Sequence, residues 1–197
     1  AFGTQKDWDH LVKEAKKNRD FSIKQGSVED RFVYKALLSN HLTPFDLADP
    51  AEITLPFERT SAGWLAVSTQ ELAADPPSAD FFKRVHAAVG KQTGSEELLR
   101  LVETYRSKLS GQTFRADGHL VVFGAGGGIV CAASRPLSGL DPAKLVIDQT
   151  LYWLTVDSGD EALYLTGLFN SPAIAALIAA FQPHGQQKER HIHLLPK

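Results

Sequence analysis

The strongest constraint in this sequence is the run Gly124-Ala125-Gly126-Gly127-Gly128, set between two apolar, β-branched stretches. Leu120-Val121-Val122-Phe123 precedes it, and Ile129-Val130-Cys131-Ala132 follows. Glycine supplies the positive φ that tight turns demand, so the pattern predicts a β-hairpin. The same opening, Val121 to Gly126 with Asp148 downstream, also imitates a dinucleotide-binding fingerprint. That motif needs a helix directly after the glycines, because the helix N-terminus holds the pyrophosphate. Here a strand pattern comes next and Pro136 arrives soon after, which leaves no length for a crossover helix. No Gly-Lys-Ser/Thr follows either. A nucleotide-binding enzyme built on the 124–128 loop is therefore the weaker alternative.

The rest of the chain fits one large domain, or one domain with a small appendage, in 197 residues. At 43% hydrophobic and 22% charged it can bury a core, and whole-chain disorder is not expected. A net charge of −2 does not announce a nucleic-acid binder, so any DNA contact must rest on local charge. The single cysteine, Cys131, sits in an apolar run and reads as a small buried residue rather than a catalytic thiolate. The longest apolar stretches fall far short of the roughly 20 residues of a membrane span. With no signal-peptide pattern, a cytoplasmic location is expected. Methionine is absent even at position 1, which suggests an excised or processed segment.

Two regions are expected: residues 1–117, helical and mixed and packed on the same domain, and residues 118–197, built from strands and helices. In 6–19, Trp8, Leu11, Val12 and Ala15 have helical spacing, with Lys13, Lys16, Lys17 and Arg19 largely on the other side. Residues 31–38 suit a strand or a short helix, and 42–46 an extended turn at Pro44. Residues 52–57 suit a strand that Pro56 ends or places at an edge. A helix is expected to start at Thr69. Pro76-Pro77 should break it, and Ser78 or Asp80 should cap the next, from Phe81 to Val89. Ser95 reads as the N-cap of a further helix with the stripe Leu98, Leu99, Val102 and Tyr105. Strands are expected at 144–148 and 151–156, then a turn at 157–160. Helices should cover 161–169 and 173–181, with Pro172 in a first turn. The alternation His191-Ile192-His193-Leu194-Leu195-Pro196 reads as a terminal strand.

Few motifs carry chemistry. Asp75-Pro76-Pro77-Ser78 approaches the (Asp/Asn/Ser)-Pro-Pro-aromatic loop of amino-group DNA methyltransferases. Its fourth residue is Ser78, so the ring that would stack on a flipped base is missing. A Pro-rich break between helices is the better reading. His191 and His193 share a strand face near His184, which is half of a zinc site. Only Glu189 stands by as an acidic partner, so surface or DNA-facing roles are preferred. No Ser-His-Asp arrangement, no marked carboxylate pair and no PD…(D/E)xK nuclease pattern is visible. Gln186-Gln187-Lys188-Glu189-Arg190-His191 combines the residue types suited to base edges and phosphates.

Three stretches in order then resemble a known family. Val146-Ile147-Asp148-Gln149-Thr150-Leu151-Tyr152-Trp153 comes first, Asp160-Glu161-Ala162-Leu163-Tyr164-Leu165 second, and Leu168-Phe169-Asn170-Ser171-Pro172 third. Together they are similar to the C-terminal specificity region of adenine-specific DNA methylases of restriction-modification systems. There a strand pair leads into an "EALYL…LNSP" helix, a Gly-rich hairpin often lies upstream, and a tail like Arg190-His191-Ile192-His193 closes the chain. The likeness covers about residues 118–197, and more faintly Tyr34-Lys35-Ala36-Leu37 and Thr43-Pro44-Phe45. It implies an α+β target-recognition domain with a curved mixed or antiparallel sheet and flanking helices. It also implies double-stranded DNA and the catalytic methyltransferase domain of the same parent chain as partners. S-adenosylmethionine would bind that other domain, with no cofactor in this segment. Gln186, Gln187, Lys188, Arg190, His191 and His193 are the expected DNA contacts, with Lys13, Lys16 and Lys17 secondary. A rival is a protein-interaction module that docks on a methylase or nuclease through its helices.

Overall fold

The computed structural model describes residues 26–60, 63–89, 95–96, 99–100, 109–124 and 130–179. The fold is α+β, with small, mostly antiparallel sheets and short helices. The chain divides into two compact units, one holding residues 1–34 and 53–113, the other 35–52 and 114–197.

In the first unit, β5 (Phe57–Thr60) and β6 (Gly63–Ala66) form an antiparallel hairpin with Arg59 opposite Trp64. Gly63, at φ +120°, takes a backbone conformation that suits glycine at the close of the turn. Helix α1 (Thr69–Ala73) starts where expected. The Ser68 hydroxyl accepts from the Glu71 N–H at 3.2 Å, and the Glu71 carboxylate accepts from the Ser68 N–H at 2.9 Å. Those bonds hold the Glu71 carboxyl below its ordinary range.

Helix α2 (Pro76–Val89) corrects the expected start at Phe81. The first helix does end just before Pro76-Pro77, at Ala73, but the prolines are not in the break: they form the first turn of the second helix. A first-turn N–H has no acceptor within its helix, so proline loses nothing there. The cap is Asp75, whose Oδ2 accepts from the Ser78 N–H at 3.0 Å. Ser78 is buried instead, and its hydroxyl accepts from the Glu29 N–H at 2.9 Å. Ser95 is helical and buried. Phe32, Val67, Leu72 and Phe82 form the core of this unit, with Phe32 edge-on to Phe82 at 5.2 Å.

In the second unit, strand β1 (Val33–Leu37) lies between β4 (Ala51–Thr54) and β9 (Leu145–Ile147), with Lys35–Leu37 parallel to β9. Strands β2 (Leu42–Thr43) and β3 (Asp46–Leu47) make a two-residue hairpin at Pro44-Phe45. A three-stranded sheet has the order β10 (Leu151–Val156), β7 (His119–Gly124), β8 (Ala132–Pro136). The predicted hairpin is present as β7 and β8, antiparallel with Phe123 opposite Ala132. Its second strand lies further along the chain than Ile129–Ala132 suggested. Being an edge strand, β8 tolerates Pro136 at its end.

The two strands expected as a pair, β9 and β10, pair with different neighbours. β9 lies beside β1, and β10 runs antiparallel to β7. Between them Asp148 builds a turn: its Oδ2 accepts from the Thr150 N–H at 3.2 Å and from the Thr150 hydroxyl, and its carbonyl accepts from the Leu151 N–H at 3.0 Å.

Helix α3 (Gly159–Phe169) begins at Ser158, whose hydroxyl accepts from the Glu161 N–H at 3.1 Å. It ends at Asn170, and α4 (Pro172–Ala179) follows with Pro172 in its first position. The Asn170 amide is a clip. Its Oδ1 accepts from the Ala132 N–H at 3.0 Å, and its Nδ2 donates to the Ala132 carbonyl at 2.7 Å and the Thr166 carbonyl at 3.0 Å. The side chain thus acts as the peptide group of a missing neighbour strand at the start of β8. The Phe45 N–H donates to the same Ala132 carbonyl at 2.9 Å. Phe45 carries φ +67°, a conformation that costs a bulky residue about 1–2 kcal/mol.

Two outcomes follow. Asn170→Ala should lower the free energy of unfolding by about 2 kcal/mol in a urea titration, because it leaves the Ala132 N–H without a partner and the Ala132 carbonyl with the Phe45 N–H alone. A loss near zero would show the clip idle. Phe45→Asn should raise it by about 0.5–1 kcal/mol, since asparagine tolerates the left-handed region. A lower stability would show that the phenyl ring contributes more than the strain costs.

Candidate nucleic-acid interface

Every residue expected to touch DNA lies outside the described residues: Gln186, Gln187, Lys188, Arg190, His191 and His193 at one end, Lys13, Lys16 and Lys17 at the other. So do positions 125–128 of the glycine run, His184, and the expected terminal strand. What the described residues supply is the frame and its electrostatics.

The motif residues are taken up by the fold. Asp148 builds the β9–β10 turn, Ser158 caps α3, and Asn170 clips β8. The Ser171 hydroxyl accepts from the Ile174 N–H at 3.3 Å at the start of α4. Asp75-Pro76-Pro77-Ser78 caps and opens α2. Asp148, Asn170 and Ser171, which belong to the stretches behind the resemblance, are thus engaged in hydrogen bonds of the fold.

Charge is divided unevenly. The described part of the second unit holds four basic residues, Lys35, Arg115, Arg135 and Lys144. Against them stand nine acids: Asp46, Asp49, Glu52, Asp117, Asp141, Asp148, Asp157, Asp160 and Glu161, a net charge of −5. Lys35 pairs with Glu52 at 2.6 Å, and Arg135 with Asp49 at 2.7 Å. Arg115 pairs with Asp117 at 3.2 Å and also with Asp157. Lys144 is engaged as well. This body is poorly suited to a phosphate backbone. Positive charge is concentrated elsewhere in the sequence. Residues 1–25 and 180–197 together carry nine Lys and Arg (positions 6, 13, 16, 17, 19, 24, 188, 190 and 197) against five Asp and Glu (7, 9, 14, 20 and 189).

The first unit contains a feature that sequence reasoning missed. The Arg59 guanidinium lies over the Trp64 ring at 4.6 Å, and burial pulls its pKa down. Trp64 Nε1 donates to the Leu109 carbonyl at 3.0 Å, and the Tyr34 hydroxyl to the Phe57 carbonyl at 2.9 Å. The signal for this hairpin was present: Thr60-Ser61-Ala62-Gly63 is a turn cluster between two strand-like runs.

Neither of two possible nucleophile sites is developed. The Ser95 hydroxyl is 3.4 Å from His86 Nε2, and burial lowers the His86 pKa. Ser95 itself is buried, and among the described residues no carboxylate bonds that imidazole. Burial pushes the Cys131 thiol up, away from the thiolate form that reacts and binds metals. Among the described residues no cluster of three or more His, Cys, Asp or Glu is placed to hold a metal ion, and no helix is long and apolar enough to cross a membrane.

Cys131 should therefore react with iodoacetamide several-fold more slowly in the folded chain than in guanidinium at the same neutral pH. A faster rate in the folded chain would mark an activated thiolate. No protein-family profile matches this sequence, and no curated protein matches it.

Proposed function

We propose that this chain is the DNA target-recognition part of a larger adenine-specific DNA methyltransferase of restriction-modification type. The observation that carries the reading is the ordered series from Val146 to Trp153, Asp160 to Leu165 and Leu168 to Pro172, which resembles the specificity region of such enzymes. The division of charge supports it. Cations are engaged in the acidic body but gathered in 1–25 and 180–197, where Lys13, Lys16, Lys17, Lys188 and Arg190 lie. In this reading those lysines and Arg190 contact phosphates, and Gln186, Gln187, His191 and His193 face the groove. The domain is of the curved-sheet, target-recognition type. The parent enzyme's separate catalytic domain binds S-adenosylmethionine, flips an adenine and methylates its amino group, in the cytoplasm.

The test is duplex retention by the full chain across a salt series. The double variant Lys188→Ala/Arg190→Ala should bind more weakly and flatten the dependence of log affinity on log salt by about 2. Unchanged affinity and slope would remove these two residues from the interface. No retention of any duplex at low salt would overturn the DNA reading as a whole.

A further inference from the structure

Helix α3 has two unlike faces. On the inner one Ala162 and Thr166 are buried, and Phe169 stacks on Phe123 with ring centroids 4.6 Å apart. The outer one presents Leu163, 65% exposed, Tyr164, 69% exposed, then Gly167 and the partly exposed Leu168. These positions are spaced i, i+1, i+4 and i+5, so they share one side of the helix. Leu177 on α4 is 59% exposed. One exposed leucine is ordinary; four large apolar side chains on two successive helices are not.

Gly167 is a second, separate observation. It sits in the helix interior, where glycine weakens a helix relative to alanine. A Cβ built there would meet no atom within 4 Å. Nothing in the described fold needs the missing methyl, whereas a partner that comes close to the backbone would.

The hairpin tip adjoins this surface. The Phe45 N–H and Asn170 Nδ2 meet at the same Ala132 carbonyl, which sets the tip beside the α3–α4 junction. Phe45 is 63% exposed despite its strained backbone, and Asp46 is next to it. A bulky residue held in a costly conformation with its ring in water is explained by an outside contact.

Charge says what kind of partner fits. Asp160 lies one turn before Tyr164 on the outer face, Glu161 lies at its edge, and both are exposed. Residues 157–179 contain no Lys, Arg or His. The helix dipole accounts for acids in the first turn, but it favours cations at the C-terminal end, where none is found. Duplex DNA and anionic lipid would be repelled. A second copy would bring the same carboxylates and no cation to meet them.

We propose that the outer face of α3 and α4, with Phe45 at its margin, is a docking surface for a protein element that carries an apolar stripe flanked by lysine or arginine. This goes beyond the DNA reading and does not depend on it.

Three labelled synthetic helical peptides test it by fluorescence anisotropy against the full chain. One has a leucine stripe flanked by lysines, one the same stripe flanked by glutamates, and one the lysines with serines in place of the leucines. The first should bind roughly tenfold more tightly than either other. Leu163→Ala/Leu168→Ala should weaken it by a similar factor without lowering the urea midpoint. Gly167→Ala should raise the thermal midpoint and still weaken the peptide. Equal binding of the glutamate or serine peptide, or wild-type affinity in the double variant, would overturn the proposal. So would a concentration-dependent dimer in sedimentation that the double variant abolishes, which would assign the face to a second copy. Duplex retention lost in the double variant would assign it to DNA.

Discussion

The second unit depends on strand β7 being buried on both of its faces. Leu120, Val121, Val122 and Phe123 are all buried, so side chains that alternate up and down along the strand need cover on each side. Backbone hydrogen bonds place β10 and β8 along its two edges, and helix α3 packs against the same strand through Phe169 on Phe123. Leu120 and Val122 join Leu37, Ala133, Leu145, Ile147 and Leu151 in one cluster, which draws β1 and β9 into the same core. The four-residue apolar run around which the unit is built carries no polar group beyond its backbone.

Where that frame ends, side chains stand in for backbone. Edge strand β8 begins with a residue that no further strand pairs: the Asn170 amide bonds both its N–H and its carbonyl, and the Phe45 N–H shares the carbonyl. Asp148 and Ser158 perform the same service at a turn and a helix start. Buried or half-buried polar backbone without a partner is costly, so these three positions are constrained by hydrogen bonding rather than by chemistry on a ligand. A resemblance that runs through them speaks to architecture first. The proposed DNA and protein contacts rest instead on the cations in the sequence of 1–25 and 180–197 and on the acid-edged apolar face of α3 and α4.

Local signals in the sequence were legible where one residue type answers one local need. The starts expected at Thr69, after the 157–160 turn and at Pro172 are helix starts in the structure, the first two capped by Ser68 and Ser158. The glycine run between apolar strands gave the β7–β8 pairing. Pro76-Pro77 was misleading because proline both ends a helix and opens one, and only the partner of Asp75 decides between them. The span of β8 was misplaced because Val130 and Cys131 have strand-like side chains, yet the ladder runs from Ala132 to Pro136. The candidate site was legible only as a local excess of Lys, Arg, Gln and His.

The sequence alone determined the α+β class, the helix starts at Thr69 and after Ser158, and the β7–β8 pairing, because each shows in a short run of neighbouring residues. Tertiary structure alone decided that β9 and β10 join different partners, that Asn170 reaches Ala132, and that Leu163, Tyr164 and Leu168 are left outside while Leu120 to Phe123 are sealed in. Those outcomes depend on partners far along the chain. An apolar residue records only that it will leave water, not which surface it will leave water for.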